Sequence, residues 1–242
     1  MNNHVKLVVL AALAGILYTF PSQAQEAGVY QQIYLTPKAG MNQSLKAALA
    51  AHNEKYHGEG PHQAFVQEVL VGERSGDFVW LMGPTNFAAF DSRPADDGHN
   101  EDWALTVMPH VGNISKPFYT RRDNDRSYSP EDNSAPMLRI RMFKLNPGVM
   151  NAFNEHLDLL VKVYTQKKLN RSISVHRNNF ASQNDFDVAI VWGTDNWAQF
   201  DGPSSWVADY ESVHGEGSWQ KWIDGWVKLS KWVDQEVRIN VN

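Results

Sequence analysis

Asn86-Phe87-Ala88-Ala89-Phe90-Asp91 and Asn196-Trp197-Ala198-Gln199-Phe200-Asp201 decide the reading of this chain, because they are one segment written twice. Each follows an apolar run that closes in Gly and Thr: Phe78 to Thr85 (FVWLMGPT) and Val188 to Thr194 (VAIVWGT). Working outward at nearly the same offset, Gly40, Met41, Leu45, Leu49 and Tyr56 align with Gly148, Val149, Phe153, Leu157 and Tyr164. A hexapeptide can recur by chance; the same order of elements around it marks a tandem duplication.

Each copy reads strand, helix, strand, strand, short helix, helix, strand. Val29 to Thr36 alternates, and Pro37 to Gly40 breaks it. Leu45, Leu49, His52 and Tyr56 then share one helical face. Phe65 to Val71 and Asp77 to Met82 form a hairpin about the turn Gly72 to Gly76. Glu101 to Val111 reads as a second helix, ended or kinked near Pro109, and Ile114 to Arg121 as the last strand. In the second copy, Leu138 to Lys144, Ser172 to Arg177, Asp187 to Trp192 and Val233 to Val241 are the strands. Its helices carry Val149, Phe153, Leu157, Leu160 and Tyr164, then Trp219, Trp222, Trp226 and Leu229, each set on one face. The polar stretch 122–136 (RDNDRSYSPEDNSAP) has no apolar period and reads as a linker. Repeat one is therefore expected over 25–121 and repeat two over 137–242.

A βαββαβ unit has both helices on one side of its sheet, so the other sheet face needs a cover. A second copy supplies it. The expected fold is α+β: two tandem ferredoxin-like βαββαβ repeats packed sheet to sheet as a fused α/β barrel, a pseudo-twofold version of a homodimer. This order resembles the dimeric α/β-barrel superfamily, which includes antibiotic-biosynthesis-type and haem-degrading monooxygenases, EthD-type and NIPSNAP-like proteins. The strand–Pro/Gly–helix entries, Leu35 to Gly40 and Leu145 to Gly148, carry the resemblance together with the Gly-Thr-aromatic segments after the third strands. It implies a pocket in each copy between helices and sheet. It names no activity, because these motifs are architectural.

With 43% hydrophobic and 20% charged residues, the composition is that of a folded chain rather than a disordered one. A net charge of −5 argues against nucleic-acid binding. The absence of Cys excludes disulfides, thiolate metal sites and a Cys nucleophile. At the N-terminus, Lys6, the apolar run Leu7 to Leu17 and the small residues before Gln25 read as a secretory signal peptide over 1–24, cleaved after Ala24. The apolar run is too short to span a bilayer comfortably, so no stable membrane anchor is expected after cleavage. The mature chain is expected in the bacterial periplasm or outside the cell, as a pseudo-twofold monomer or a dimer.

Candidate chemistry rests on the His and Trp residues. His99-Asn100-Glu101 and His214-Gly215-Glu216 are each followed closely by Trp, at Trp103 and Trp219. A His and a carboxylate two apart can share a proton or a metal, and an acid at a helix start also serves the helix dipole. His52 and His156 lie on apolar helix faces, where a hydrogen-bonded core His is the plainer alternative. His110 is the candidate axial ligand for haem, a cofactor that the resemblance allows, with Trp103 expected on the same helical side. The tetrapeptide His-Gly-Glu-Gly at His57 and at His214 reads as coincident loop composition. There is no nucleophile elbow, phosphate loop, dinucleotide fingerprint or His-Glu-x-x-His. Three functions stay open. The first is an exported protein binding a small hydrophobic or aromatic ligand. The second is a monooxygenase-type oxidoreductase, cofactor-free or haem-dependent. The third is a non-catalytic protein-interaction module.

Overall fold

The computed structural model describes residues 28–130, 135–201 and 205–241. The expected signal peptide lies outside the described residues. Repeat one supplies β1 (Val29–Pro37), α1 (Asn42–Tyr56), β2 (Ala64–Val71), β3 (Phe78–Thr85), α2 (Asp97–Asp102), β4 (Val111–Ile114) and β5 (Phe118–Tyr128). Repeat two supplies β6 (Met137–Leu145), α3 (Met150–Lys167), β7 (Ile173–Asn178), β8 (Val188–Thr194), α4 (Trp206–His214), α5 (Ser218–Leu229) and β9 (Ser230–Val241).

The strands form one antiparallel sheet in the order β3-β2-β9-β6-β8-β7-β5-β1-β4, and pairing of β1 with β3 closes it into a barrel. The two junctions between repeats are related: β9 pairs with β2, and β5 with β7. In both cases the last strand of one repeat lies beside the second strand of the other, as a pseudo-twofold axis requires. The fused α/β barrel expected from the duplication is therefore the fold observed.

Each repeat builds its own core between sheet and helices. In repeat one, Leu45 and Leu49 of α1 close over Leu35, Val66, Phe78 and Met82. In repeat two, Phe153, Leu157 and Leu160 of α3 close over Phe143, Ile173, Val188 and Ile190. Each such fully buried side chain contributes about 1.5–3 kcal/mol relative to exposure. The helices enter through matching turns, with Gly40 at φ +77° and Gly148 at φ +78°, a backbone region that a Cβ disfavours. Inside the barrel, Tyr34, Val69 and Val79 line one side and Ile140, Met142 and Ala189 the other. A buried polar network joins the repeats there. Arg238 Nη2 donates to the Tyr34 hydroxyl at 2.7 Å, Tyr34 donates to Glu236 at 3.0 Å, and Arg238 Nε donates to Glu236 at 2.6 Å.

Three segments differ from the sequence expectations. The helix expected from Glu101 is α2, beginning at Asp97, followed by a π-helical turn (Trp103–Val107) and a 3₁₀ turn (Met108–His110). The last strand of repeat one is split into β4 and β5. The segment read as a linker from Arg122 continues β5 as far as Tyr128, pairing with β7. Polar residues line this strand and are held by ions rather than by apolar burial: Arg177 Nη2 and Arg126 Nη1 meet Asp123 at 2.8 and 3.4 Å. Hydrophobic periodicity does not register such a strand. Residues 131–134 of the expected linker lie outside the described residues.

Candidate metal centre

The buried stripe of α1 that carries Leu45 and Leu49 also carries His52, which is 1% exposed. Because residues three apart on a helix share a face, His52 follows Leu49 beneath the helix. The chain leaves α1 at His57, whose backbone is no longer helical, and this turns a second imidazole under the same end. His57 is also buried, at 3% exposure. The third imidazole comes from α2. Asp96 caps that helix by accepting from the His99 backbone N–H at 2.8 Å, which sets His99 in its first turn.

These three rings converge. Their centroids are 4.9 Å (His52–His99), 5.2 Å (His57–His99) and 5.3 Å (His52–His57) apart. One ring nitrogen from each lies within 4.8 Å of the other two. His57 Nε2 and His99 Nε2 are 3.1 Å apart. Two nitrogens on a tetrahedral ion with metal–N bonds of about 2.0–2.1 Å stand about 3.3 Å apart, so the His57–His99 pair needs little adjustment, and the third ring must close in from within 4.8 Å.

Surrounding groups fix the tautomers. His52 Nδ1–H donates to Asp102 Oδ2 at 2.7 Å, and His57 Nδ1–H donates to the His62 carbonyl at 2.8 Å. Both rings therefore turn an Nε2 lone pair inward. Carboxylate and carbonyl acceptors behind imidazoles are the outer-sphere pattern of metal-binding histidines. Without an ion the cluster is poorly satisfied. His99 Nε2–H can serve His57, but His52 Nε2 and His99 Nδ1 are buried with no hydrogen-bond partner among the described residues. Burial pushes His57 down to about 4, and His52 is also lowered by burial, against the opposing effect of the hydrogen bond that it donates to Asp102. Both imidazoles are thus neutral at neutral pH, the state a metal requires. Asp102 is held below the usual carboxylate range by the His52 hydrogen bond.

Aromatic rings enclose the cluster. Trp103, the first residue of the π turn, meets His52 edge-on at 5.0 Å; π turns recur at functional sites. Trp80 meets His57 at 5.3 Å, and its indole N–H donates to Asn53 Oδ1 at 2.8 Å. Tyr56 meets His99 edge-on at 4.9 Å and donates to the Gly98 carbonyl at 2.9 Å.

Of the residues singled out in the sequence, His52, His99 and Trp103 meet here. Glu101 is exposed; the carboxylate that reaches the cluster is its neighbour Asp102. His110 stands on the 3₁₀ turn, and its ring has no hydrogen-bond or ring partner among the described residues, while Trp103 is turned into the core. The regular helix expected to carry both Trp103 and His110 is replaced by a π turn and a 3₁₀ turn. In repeat two, His214 Nε2 donates to the Leu159 carbonyl at 2.9 Å, and Glu216 is exposed. Trp219 stacks on Trp222 at 5.2 Å. His156 stacks on Trp222, with Nε2 buried against the space beside Gly225. The residue that sequence reasoning passed over is His57. The available signal was its place directly after the buried stripe, five residues beyond His52.

No protein-family model matches the chain, and no curated protein matches it. Solved structures share its fold. A Lactobacillus acidophilus NCFM protein provisionally assigned as a monooxygenase superposes with a TM-score of 0.54 at 9% identity, over 90% of this chain and 95% of its own. An anthrone oxidase-like protein gives 0.55 at 10% identity, covering 90% and 93%. Chlorite dismutase from Candidatus Nitrospira defluvii, solved in complex with imidazole, gives 0.54 at 9% identity, covering 88% and 92%. At these identities the likeness shows the dimeric α/β-barrel fold.

Proposed function

We propose that this is an exported metalloprotein of the dimeric α/β-barrel fold, in which His52, His57 and His99 hold one divalent first-row ion for oxidoreductase chemistry of the monooxygenase type. The observation that carries the metal reading is the inward pair of Nε2 lone pairs on His52 and His57, one of them buried with no partner among the described residues. Imidazole donors without thiolate suit Zn, Cu, Fe or Ni. Three ligands leave a coordination position open, as a reactive centre needs. The chain's own part is to deprotonate, aim and dry the site: Asp102 and the His62 carbonyl orient two ligands, and Trp80, Trp103 and Tyr56 exclude water. The oxidoreductase class is supported by the fold's company of monooxygenase and oxidase-like proteins. Export is supported by the sequence of residues 1–24; N-terminal sequencing of the protein recovered from a periplasmic extract tests it, with Gln25 expected as the first residue.

The metal reading is tested by titrating Co²⁺, Zn²⁺ and Cu²⁺ into chelator-treated mature protein, with visible spectra for Co²⁺ and calorimetry for all three. A single saturable site, lost in His52→Ala and His57→Ala, is expected. Binding that survives the double substitution would overturn it. Haem titration is the companion measurement: a saturable Soret shift abolished by His110→Ala would favour the haem-dependent form of the oxidoreductase reading instead.

A further inference from the structure

A second unusual cluster lies in repeat two, on the outer face of the sheet. Alternation along β6 puts Arg139 and Arg141 on the face that carries Phe143, beneath the helices. In register, Arg141 stands between Ile190 of β8 and Gln235 of β9, and Arg139 between Trp192 and Val237. Both guanidinium groups converge on one oxygen. Arg141 Nε donates to Gln235 Oε1 at 2.6 Å and Arg139 Nη2 at 3.4 Å. Among the described residues, neither arginine forms an ion pair with a carboxylate. The nearby acids are otherwise engaged: Glu236 points into the barrel with Arg238, and Asp234 accepts from the Gln235 backbone N–H at 2.7 Å.

Two cations held side by side by a neutral amide repel one another. Burial and the charge of Arg139 push Arg141 down to about 10, and burial lowers Arg139. Arg139 Nε is also buried with no hydrogen-bond partner among the described residues. Each guanidinium has an indole beside it: Arg139 is 5.9 Å from the Trp192 ring and Arg141 5.3 Å from the Trp232 ring. Trp232 is 61% exposed, so its side chain is accessible to a partner. The matching positions on β1 are Gln31 and Ile33, so the charge is a property of repeat two alone.

We propose that Arg139 and Arg141 form a binding site for a planar aromatic carboxylate, its anion bridging the two guanidinium groups and its ring lying against the exposed indole. A carboxylate matches paired guanidinium donors in geometry and supplies the missing charge. An aromatic ring, rather than a bare inorganic anion, suits the adjoining tryptophans.

The test is calorimetric titration of the mature, chelator-treated protein with 2-naphthoate and with its neutral counterpart 2-naphthamide. Saturable 1:1 binding of 2-naphthoate is expected, at least tenfold tighter than the amide and weakened at least tenfold in Arg141→Gln. Trp232→Ala is expected to weaken it less. Equal binding of acid and amide, or unchanged affinity in Arg141→Gln, would overturn the proposal. Displacement of naphthoate by equimolar sulfate would overturn its aromatic part. Far-UV dichroism checks that Arg141→Gln folds; if it does not, Arg139→Gln and the acid–amide comparison, which needs no variant, decide.

Discussion

Helix α1 of repeat one and helix α3 of repeat two are the same helix twice, with opposite contents at one end. Leu45 and Leu49 correspond to Phe153 and Leu157, all fully buried, and Tyr56 corresponds to Tyr164. Where α1 carries His52, α3 carries Leu160, 3% exposed; where His57 follows α1, Thr165 stands in α3. Leu160 belongs to a core that also holds Tyr210, Trp222 and Trp226, with Trp222 5.7 and 5.0 Å from the other two rings. Beneath His52, repeat one gathers two more imidazoles and a carboxylate. The fold needs only an apolar plug at this position, as repeat two shows. Burying polar nitrogens without partners, as repeat one does, costs about 1–3 kcal/mol for each neutral group left unsatisfied. The metal proposed for this site would offset that cost.

The largest effect should come from giving repeat one the residue of repeat two. His52→Leu is expected to abolish stoichiometric metal binding while the metal-free melting temperature holds or rises. Elemental analysis after dialysis, with a thermal scan, checks both. A metal content equal to that of the parent protein would mean that the two helix ends do not differ in function. Next, Asp102→Asn keeps the three rings but weakens the acceptor behind His52. Metal affinity should fall about 10–100-fold, measured by competition with a chromophoric chelator. The reciprocal change, Leu160→His, puts an imidazole into repeat two without its partners. It should gain no metal and destabilise the protein by about 1–3 kcal/mol in urea unfolding.

The smallest effect concerns His176, whose ring lies 5.5 Å from that of Tyr30 across the repeats. Burial, then the charges of Arg122 and Arg238, push it from 6.5 down to about 4. A depressed histidine binds fewer protons folded than unfolded, so its contribution to stability is present above pH 6.5 and is lost as pH falls towards 4. His176→Gln should flatten the slope of stability against pH within that window. An unchanged slope would assign the acid sensitivity of the protein to other groups.

Much of the architecture was legible because it repeats. The NFAAFD and NWAQFD segments, the paired Gly turns and the helix stripes all report local backbone demands, and local demands are written locally. The split of β4 from β5 and the continuation of β5 to Tyr128 were not legible, because ion pairs with partners distant in sequence hold that strand. The candidate site was half legible. His52 and His99 stood out, one by its place on an apolar face and the other by its recurrence. Asp102 was hidden beside the more conspicuous Glu101, since the residue that faces α1 depends on how α2 lies against it.

By itself, the sequence determined that two α/β units would share one barrel, because apolar period and turn chemistry act over a few residues and each unit has one sheet face to cover. Only the tertiary structure decided that His52, His57 and His99 meet. It alone brought Arg139 and Arg141 to one oxygen with no carboxylate paired to either among the described residues. Proximity between side chains on different elements depends on crossing geometry and strand register, which no single stretch of chain encodes.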